Sequence, residues 1–497
     1  MAVLAIDAGT TGVTALVVDD DATVIGRGYA EFAQHFPRPG WVEHWPEEIW
    51  QATLAASSAA TRAAGEAATQ GGRTLALAAV GLTNQRETAV FWDRRTLAAT
   101  RPAIVWQDRR TAGICERLHD AGHEAEVSRL TGLRLDPYFT GTKLAWVREN
   151  DPTVWSGVAN GRTCVGTVDA YLVARLTGGA RHATDASNAS RTLLYDITRG
   201  EWSDELCELL SVPRAALPEV VASWGEVGRT SPEAFLGLEL PVAGIAGDQQ
   251  AALFGQACYG VGESKCTYGT GSFVLVNTGP DVVRSEAGLL STVAWQAPSG
   301  ELTYALEGAI FVTGSAVQWL RDGLGIIVAA EESEALARTV PDSGGVVFVP
   351  ALTGLGAPDW DPAARGTIVG ITRGTTRAHL ARATLEAIAF EVRDVVELLP
   401  DVRTLRVDGG AAANDLLLQL QADTLAMPVE RPAVLETTGL GAAFLAGIGT
   451  GVWSSTDELA STWRVDATFE PGAPAEGATS YEQWRRAVDR AKGWAAD

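Results

Sequence analysis

The feature that most restricts this chain is an internal echo. An apolar run, Val3-Leu4-Ala5-Ile6, meets the turn-forming stretch Asp7-Ala8-Gly9-Thr10-Thr11-Gly12 and then a second apolar run, Ala15-Leu16-Val17-Val18. Far downstream, Lys265-Cys266-Thr267-Tyr268-Gly269-Thr270-Gly271-Ser272-Phe273-Val274-Leu275-Val276 again sets a Gly-Thr-Gly turn between strand-like segments. Each reads as a hairpin, and the repeat predicts two related halves that meet at a cleft. A chain of 497 residues is long enough for this, at about 100–200 residues per domain. Elsewhere apolar runs alternate with stretches of helical period, the pattern of α/β architecture. Pro46 with Glu47 and Glu48 opens an Ala-rich helix, as the missing donor and the helix dipole prefer, and Leu75 to Leu82 returns to strand character. The Gly-dense stretch 255–262 marks the predicted boundary, giving domains of 1–250 and 251–497. The Pro/Gly/Ala-rich stretch Pro471 to Gly477 reads as a surface connector before a last helix.

Charge removes several function classes. Acidic residues exceed basic ones to a net −22, a field that repels nucleic acid and anionic membrane surfaces. The start of the chain has no basic segment, and Asp7 interrupts its apolar run well short of a secretion signal. Thr437 to Thr456 carries no charged residue, but its glycines, serines and threonines dilute the apolar content and predict a buried helix rather than a membrane span. Five scattered cysteines form no Cys-x-x-Cys pair, which predicts reduced thiols and a cytoplasmic setting.

Three segments carry candidate chemistry. Asp7 to Gly12 is either a plain hairpin turn or a loop whose glycines and hydroxyls approach a phosphate, with Asp7 behind a hydrated Mg²⁺. Asp248, in Gly247-Asp248-Gln249-Gln250, either caps a helix or points into the crevice at the carboxyl end of a strand. Arg406-Val407-Asp408-Gly409-Gly410 through Asn414 has a strand, Gly-Gly, helix form suited to close approach by a nucleotide.

Taken in order, these segments resemble the FGGY carbohydrate kinases of the actin-like ATPase superfamily. Tyr138 to Asn150 is similar to one family signature, and Gly366 to Ile371 through His379-Leu380 to Glu386 is similar to the second. Four further segments, 37–44, 83–88, 104–111 and 351–358, resemble the branch that phosphorylates glycerol. The resemblance spans about Leu4 to Trp453. It implies an α/β fold of two actin-like (ribonuclease H-like) ATPase domains around a central cleft. The implied reaction is MgATP-dependent phosphorylation of glycerol, the alternative being a pentulose or tetritol as acceptor.

By the same resemblance, Arg86, Glu87, Tyr138 and Asp248 would hold the polyol hydroxyls with help from Gln249, and Trp106 and Phe273 would pack on its carbons. Asp248 would be the general base. Thr10, Thr11, Gly12, Thr270, Gly314, Gln318, Gly410 and Asn414 would contact ATP, and Asp7 would hold Mg²⁺ through water. A homo-oligomer, dimer or tetramer, is also implied. The commoner loop of that branch reads Gln-Gly-Thr-Thr-Ser-Ser-Arg. Here Ala8, Gly12, Val13 and Thr14 stand in place of its Gln, Ser, Ser and Arg, which removes a cation expected near the phosphates.

Overall fold

The computed structural model describes residues 1–472 and 479–495. In the first part of the chain, β1 (Ala2–Ala8) and β2 (Gly12–Asp19) form the expected hairpin, followed by β3 (Val24–Glu31), β4 (Leu77–Asn84), β5 (Trp224–Arg229) and β6 (Pro241–Gly247). The second part supplies β7 (Ser264–Tyr268), β8 (Ser272–Gly279), β9 (Leu290–Gln296), β10 (Leu302–Ile310), β11 (Leu405–Asp408), β12 (Val429–Pro432) and β13 (Val465–Phe469). The sheets are ordered β5-β6-β4-β1-β2-β3 and β9-β10-β8-β7-β11-β12-β13. Within them, β3-β2-β1-β4-β6 and β10-β8-β7-β11-β12 share one plan. Each has a hairpin, an antiparallel strand beyond it, and two strands running parallel on its other side. The echo in the sequence is the start of a duplicated actin-like fold.

Five helices frame the two sheets around the site: α1 (Pro46–Gln70), α2 (Thr140–Asn150), α3 (Asp248–Gly255), α4 (Asp415–Leu425) and α5 (Thr437–Thr450). Pro46 sits in the first turn of α1 with Glu47 and Glu48, as the sequence predicts. The uncharged Gly-rich stretch is α5, buried over most of its length and stopped at Gly451, whose φ of 76° suits glycine. No helix among the described residues is long and apolar enough to cross a membrane. The predicted connector falls largely on residues 473–478, outside the described residues, and the last helix follows as Tyr481–Ala491 behind a Ser480 cap.

Two features of this packing position the site. Between β4 and β5 the chain makes an excursion with its own core, built on Phe91, Ile104, Leu144, Val147 and Tyr195, and Leu290, Val293 and Tyr304 of the second sheet complete that core. The Tyr304 hydroxyl seals the contact by donating to the Ile197 carbonyl at 2.7 Å. Helix α5 comes late in the chain yet lies on β1, β4 and β6 of the first sheet, crossing α3. The crossing is close: a Cβ on Gly441 would stand 1.8 Å from the Ala251 carbonyl oxygen, and one on Gly255 would stand 2.0 Å from that of Thr437. Gly441→Ala is therefore expected to lower unfolding free energy by about 1–3 kcal/mol, the usual range for overpacking. Gly410→Ala, with open space around the added carbon, should leave the thermal midpoint unchanged. Parallel thermal melts of the two variants check this.

Candidate active site

Register brings the chemistry together. Asp7 pairs with Thr83, and Ala8 and Gly247 both pair with Asn84, so β1, β4 and β6 end level. Asp7, Arg86, Glu87 and Asp248 therefore emerge at the carboxyl ends of adjacent parallel strands, where α/β sheets bind ligands. In the second sheet Thr267 pairs with Asp408, which sets the turn Gly269-Thr270-Gly271 beside Gly409 and Gly410. The backbone N–H groups of Thr313 and Ser315 donate to the Thr270 carbonyl, and that of Gly314 donates to Gly269, fixing a third segment to the same turn.

A cavity of about 210 Å³ lies between these two edges, lined by Thr10, Thr11, Arg86, Glu87, Trp106, Tyr138, Asp248, Gln249, Thr267, Gly269, Thr270, Gly271 and Phe273. It is smaller than the roughly 300–1,000 Å³ that drug-sized ligands occupy, so it suits a small molecule. One wall is aromatic: the Trp106 ring centroid is 5.7 Å from that of Tyr138 and 6.4 Å from that of Phe273. Trp106 is steadied by its indole N–H, which donates to Thr10 Oγ1 at 3.0 Å. The facing wall is ionic. Arg86 Nε lies 3.1 Å from Asp248 Oδ1, and its terminal nitrogens reach Glu307 at 2.5 and 3.1 Å and the Tyr138 hydroxyl at 3.4 Å. Gly247 makes room for this arginine, since a Cβ there would stand 2.7 Å from its side chain.

Gly247 occupies the cap position of α3, and Asp248 opens the helix with its carboxylate at the cavity. Burial raises the Asp248 pKa above the usual carboxylate range, against the opposing charges of Arg86 and Lys265. Gln249 accepts a hydrogen bond from the buried Lys265 ammonium, which leaves its amide N–H groups for the cavity. Glu87 holds a left-handed backbone, φ 64°, a conformation that costs a non-glycine residue about 1–3 kcal/mol and recurs at functional sites.

The nucleotide candidates are divided between the two edges, with Thr10, Thr11 and Gly12 on the first hairpin and the others on the second sheet's side. Thr10, Thr11 and Thr270 line the cavity. Gly314 and the exposed Gln318 lie on the short helix that starts at the Thr270 turn. Gly410 is exposed at the strand end, and Asn414 caps α4 through Leu417 N–H at 2.9 Å. Gly12 is buried in β2 against Tyr29 and Ala30 and does not line the cavity.

Sequence reasoning passes over several residues of the site. Glu307 and Arg191 stand behind Arg86 and Glu87, each fully buried. A lone carboxylate in the apolar strand Leu302–Ile310 is the available signal for Glu307. His44, Gln34 and Gln85 brace the first turn: Gln34 bonds the Thr10 carbonyl at 2.7 Å, Gln85 bonds that of Gly9 at 2.9 Å, and His44 joins the two amides. Burial, with His35 nearby, drops the His44 pKa to about 3, so the imidazole is neutral in this chain of amides.

Similarity to known proteins extends over both sheets and the cavity between them. The model of the FGGY family of carbohydrate kinases, N-terminal domain, matches residues 2–255, and that of its C-terminal domain matches residues 264–450. The chain belongs to the FGGY carbohydrate kinases. Among its FGGY relatives, a glycerol kinase of Aromatoleum aromaticum is 55% identical, covering 99% of each chain. Glycerol kinase 2 of Thermotoga maritima is 51% identical, again over 99% of each. The crystal structure of Plasmodium falciparum glycerol kinase with ADP matches with a TM-score of 0.87 at 32% identity, covering 99% of this chain and 98% of that one. A xylulose kinase from Rhodospirillum rubrum matches at 0.83 and 26% identity, over 99% and 98%.

As an FGGY kinase the chain implies a divalent cation, and Asp7 fits one. Burial, with the Asp248 charge facing it, pushes the Asp7 carboxyl up to about 7. Thr14 pairs with Asp7 across the hairpin, so the position where the commoner loop carries Arg supplies no cation to it. Asp7 has no cationic partner among the described residues and faces the charge of Asp248, whose own cation is Arg86; a hydrated Mg²⁺ beside Asp7 would relieve it. Without metal, the raised Asp7 carboxyl weakens the fold as pH rises from about 4 to about 7, because the unfolded chain releases this proton first. Asp7→Asn should therefore raise the thermal midpoint of the metal-free protein by a few degrees at pH 8 and leave it unchanged at pH 4, as calorimetry at both pH values would report.

Proposed function

We propose that this chain transfers the γ-phosphoryl group of MgATP to a primary hydroxyl of glycerol, giving sn-glycerol 3-phosphate. The observation that carries the reading is the small cavity itself. Arg86, Glu87, Tyr138, Asp248 and Gln249 offer donors and acceptors for three hydroxyls on one side, while Trp106 and Phe273 cover a C–H edge on the other. Glycerol kinases similar to this chain along nearly its whole length support the same acceptor. ATP is assigned to the turns of both hairpins, Thr10, Thr11 and Gly12 on the first and Thr270 on the second, together with Gly314, Gln318, Gly410 and Asn414. The five cysteines are free thiols, all buried, which favours a reducing cytoplasm. A homo-oligomer, dimer or tetramer, is part of the proposal on family resemblance.

In this mechanism Asp248 takes the proton of the attacking hydroxyl. Its raised pKa suits a general base, and its contact with Arg86 Nε holds the carboxylate in place. Arg86 and Tyr138 orient the neighbouring hydroxyl, and the aromatic wall keeps the carbon chain from turning. Mg²⁺, when bound beside Asp7, neutralises phosphate charge. Most of the rate then comes from positioning and charge stabilisation, as phosphoryl transfer demands.

Asp248→Asn should lower kcat by about 10²–10⁴ while glycerol still binds, because the amide keeps shape but takes no proton. Coupled-assay kinetics with a separate glycerol-binding titration measure both quantities, and near-parental turnover would remove Asp248 from the role. An acceptor panel of glycerol, erythritol, xylulose and gluconate tests the substrate. Glycerol is expected to give the highest kcat/KM, and a higher value for any other acceptor would move the chain to a sister activity.

A further inference from the structure

Behind the two residues that face the cavity stand two that do not. Glu307, on β10 of the second sheet, receives both terminal nitrogens of Arg86 and one from Arg191 at 2.8 Å. Arg191 in turn donates through Nε to Glu87 Oε1 at 2.7 Å. The result is a closed ring of alternating charge in which Arg86 and Glu87 line the cavity while Arg191 and Glu307 lie wholly inside. Arg86 is anchored at every nitrogen: one terminal nitrogen serves Glu307 and Gln250, the other serves Glu307 and, at 3.4 Å, the Tyr138 hydroxyl, the contact that a substrate hydroxyl would share, and Nε faces Asp248. If the Glu307 charge were absent, the nearest exposed carboxylate for the guanidinium fork would be Asp248, and a two-point grip there would occupy both oxygens of the base.

We propose that Glu307 is a positioning residue that acts through Arg86: it fixes the guanidinium so that Asp248 is touched by Nε alone and keeps an oxygen for the substrate hydroxyl, with Arg191 as the matching brace on Glu87. This rests on the assignment of Asp248 as the base of a polyol kinase. It also makes the acceptor pocket a product of both sheets, since Glu307 comes from the second while Arg86, Glu87 and Asp248 come from the first.

Glu307→Gln keeps the side chain's shape and an acceptor oxygen but removes its charge. Expected are a KM for glycerol raised about tenfold, a kcat lowered about ten- to a hundredfold, and a KM for ATP within about twofold of the parent, because Arg86 and Glu307 hydrogen-bond to none of the residues assigned to ATP. Glu307→Asp, which keeps the charge one methylene short, should recover at least a third of the lost kcat. Circular dichroism and ADP binding report the folded fraction of each variant. Parental KM and kcat for glycerol in Glu307→Gln would overturn the proposal, as would equal losses toward glycerol and ATP with no recovery in Glu307→Asp. If Glu307→Gln does not fold, Glu307→Asp decides alone: a glycerol KM raised threefold or more at unchanged ATP KM supports the role, and an unchanged glycerol KM overturns it. A parent enzyme that uses another acceptor of the panel would defeat the glycerol reading and leave the same comparison to be made with that acceptor.

Discussion

Two arginines and two glutamates, Arg86, Glu307, Arg191 and Glu87, alternate in sign inside the protein, and the geometry of the cavity follows from their arrangement. Each ion carries a desolvation penalty that a packed apolar cluster of the same size would not. Mutual pairing offsets it: burial pushes the Glu307 carboxyl up, yet Arg191 and Arg86 together bring it down to about 2. Removing one member of such a set typically costs about 3–5 kcal/mol, because its partners stay buried and unpaired. The ring is thus costly to assemble and hard to alter. What it provides is a guanidinium and a carboxylate anchored at the cavity lining, the carboxylate belonging to Glu87 with its left-handed backbone.

The remaining parts of the site work against this fixed wall. Trp106 and Phe273 line the cavity beside it, with the Arg86 guanidinium carbon 5.6 Å from the Phe273 ring centroid, so aromatic and ionic groups meet within one small space. Asp248 and Asp7 differ in surroundings although both are carboxylates with raised pKa. Asp248 has a cation in contact, whereas Asp7 has none and faces another acid. The proposed roles, Asp248 as base and Asp7 beside a metal, follow this difference.

Much of this is legible in residue order. The hairpins, the strands behind them and the Gly-rich buried helix follow from apolar runs and turn residues, and the cluster Arg86, Glu87, Trp106, Tyr138, Asp248 and Phe273 is implied by the family resemblance of segments that are local in the sequence. Glu307 and Arg191 are not legible, because their meaning depends on pairing across more than a hundred positions, and an isolated Glu in a strand has no local partner to announce it. His44 is hidden for a different reason. Its segment reads as a surface turn by composition, and only the short strand Glu43–His44, paired with Ala103–Ile104, turns the imidazole inward to the amides. Asp248 admits two readings in the sequence, helix cap and crevice carboxylate, and the backbone decides between them by placing Gly247 at the cap.

Helix α5 has a consequence for how the chain comes into being. The inner face of the first sheet is finished by residues 437–450, so a ribosome that has released the first 255 residues has made strands whose apolar cover is still about 180 residues away, the interval from 255 to 437. Until then the cluster that holds Val3, Ala5, Ala79 and Ala243 lacks Leu440, Ala442, Ala443 and Leu445 of α5. The two sheets are therefore not independent folding units, for all their shared plan. The first half depends on the last fifth of the polypeptide, and a gene split at the Gly-dense boundary would separate a sheet from its own lid.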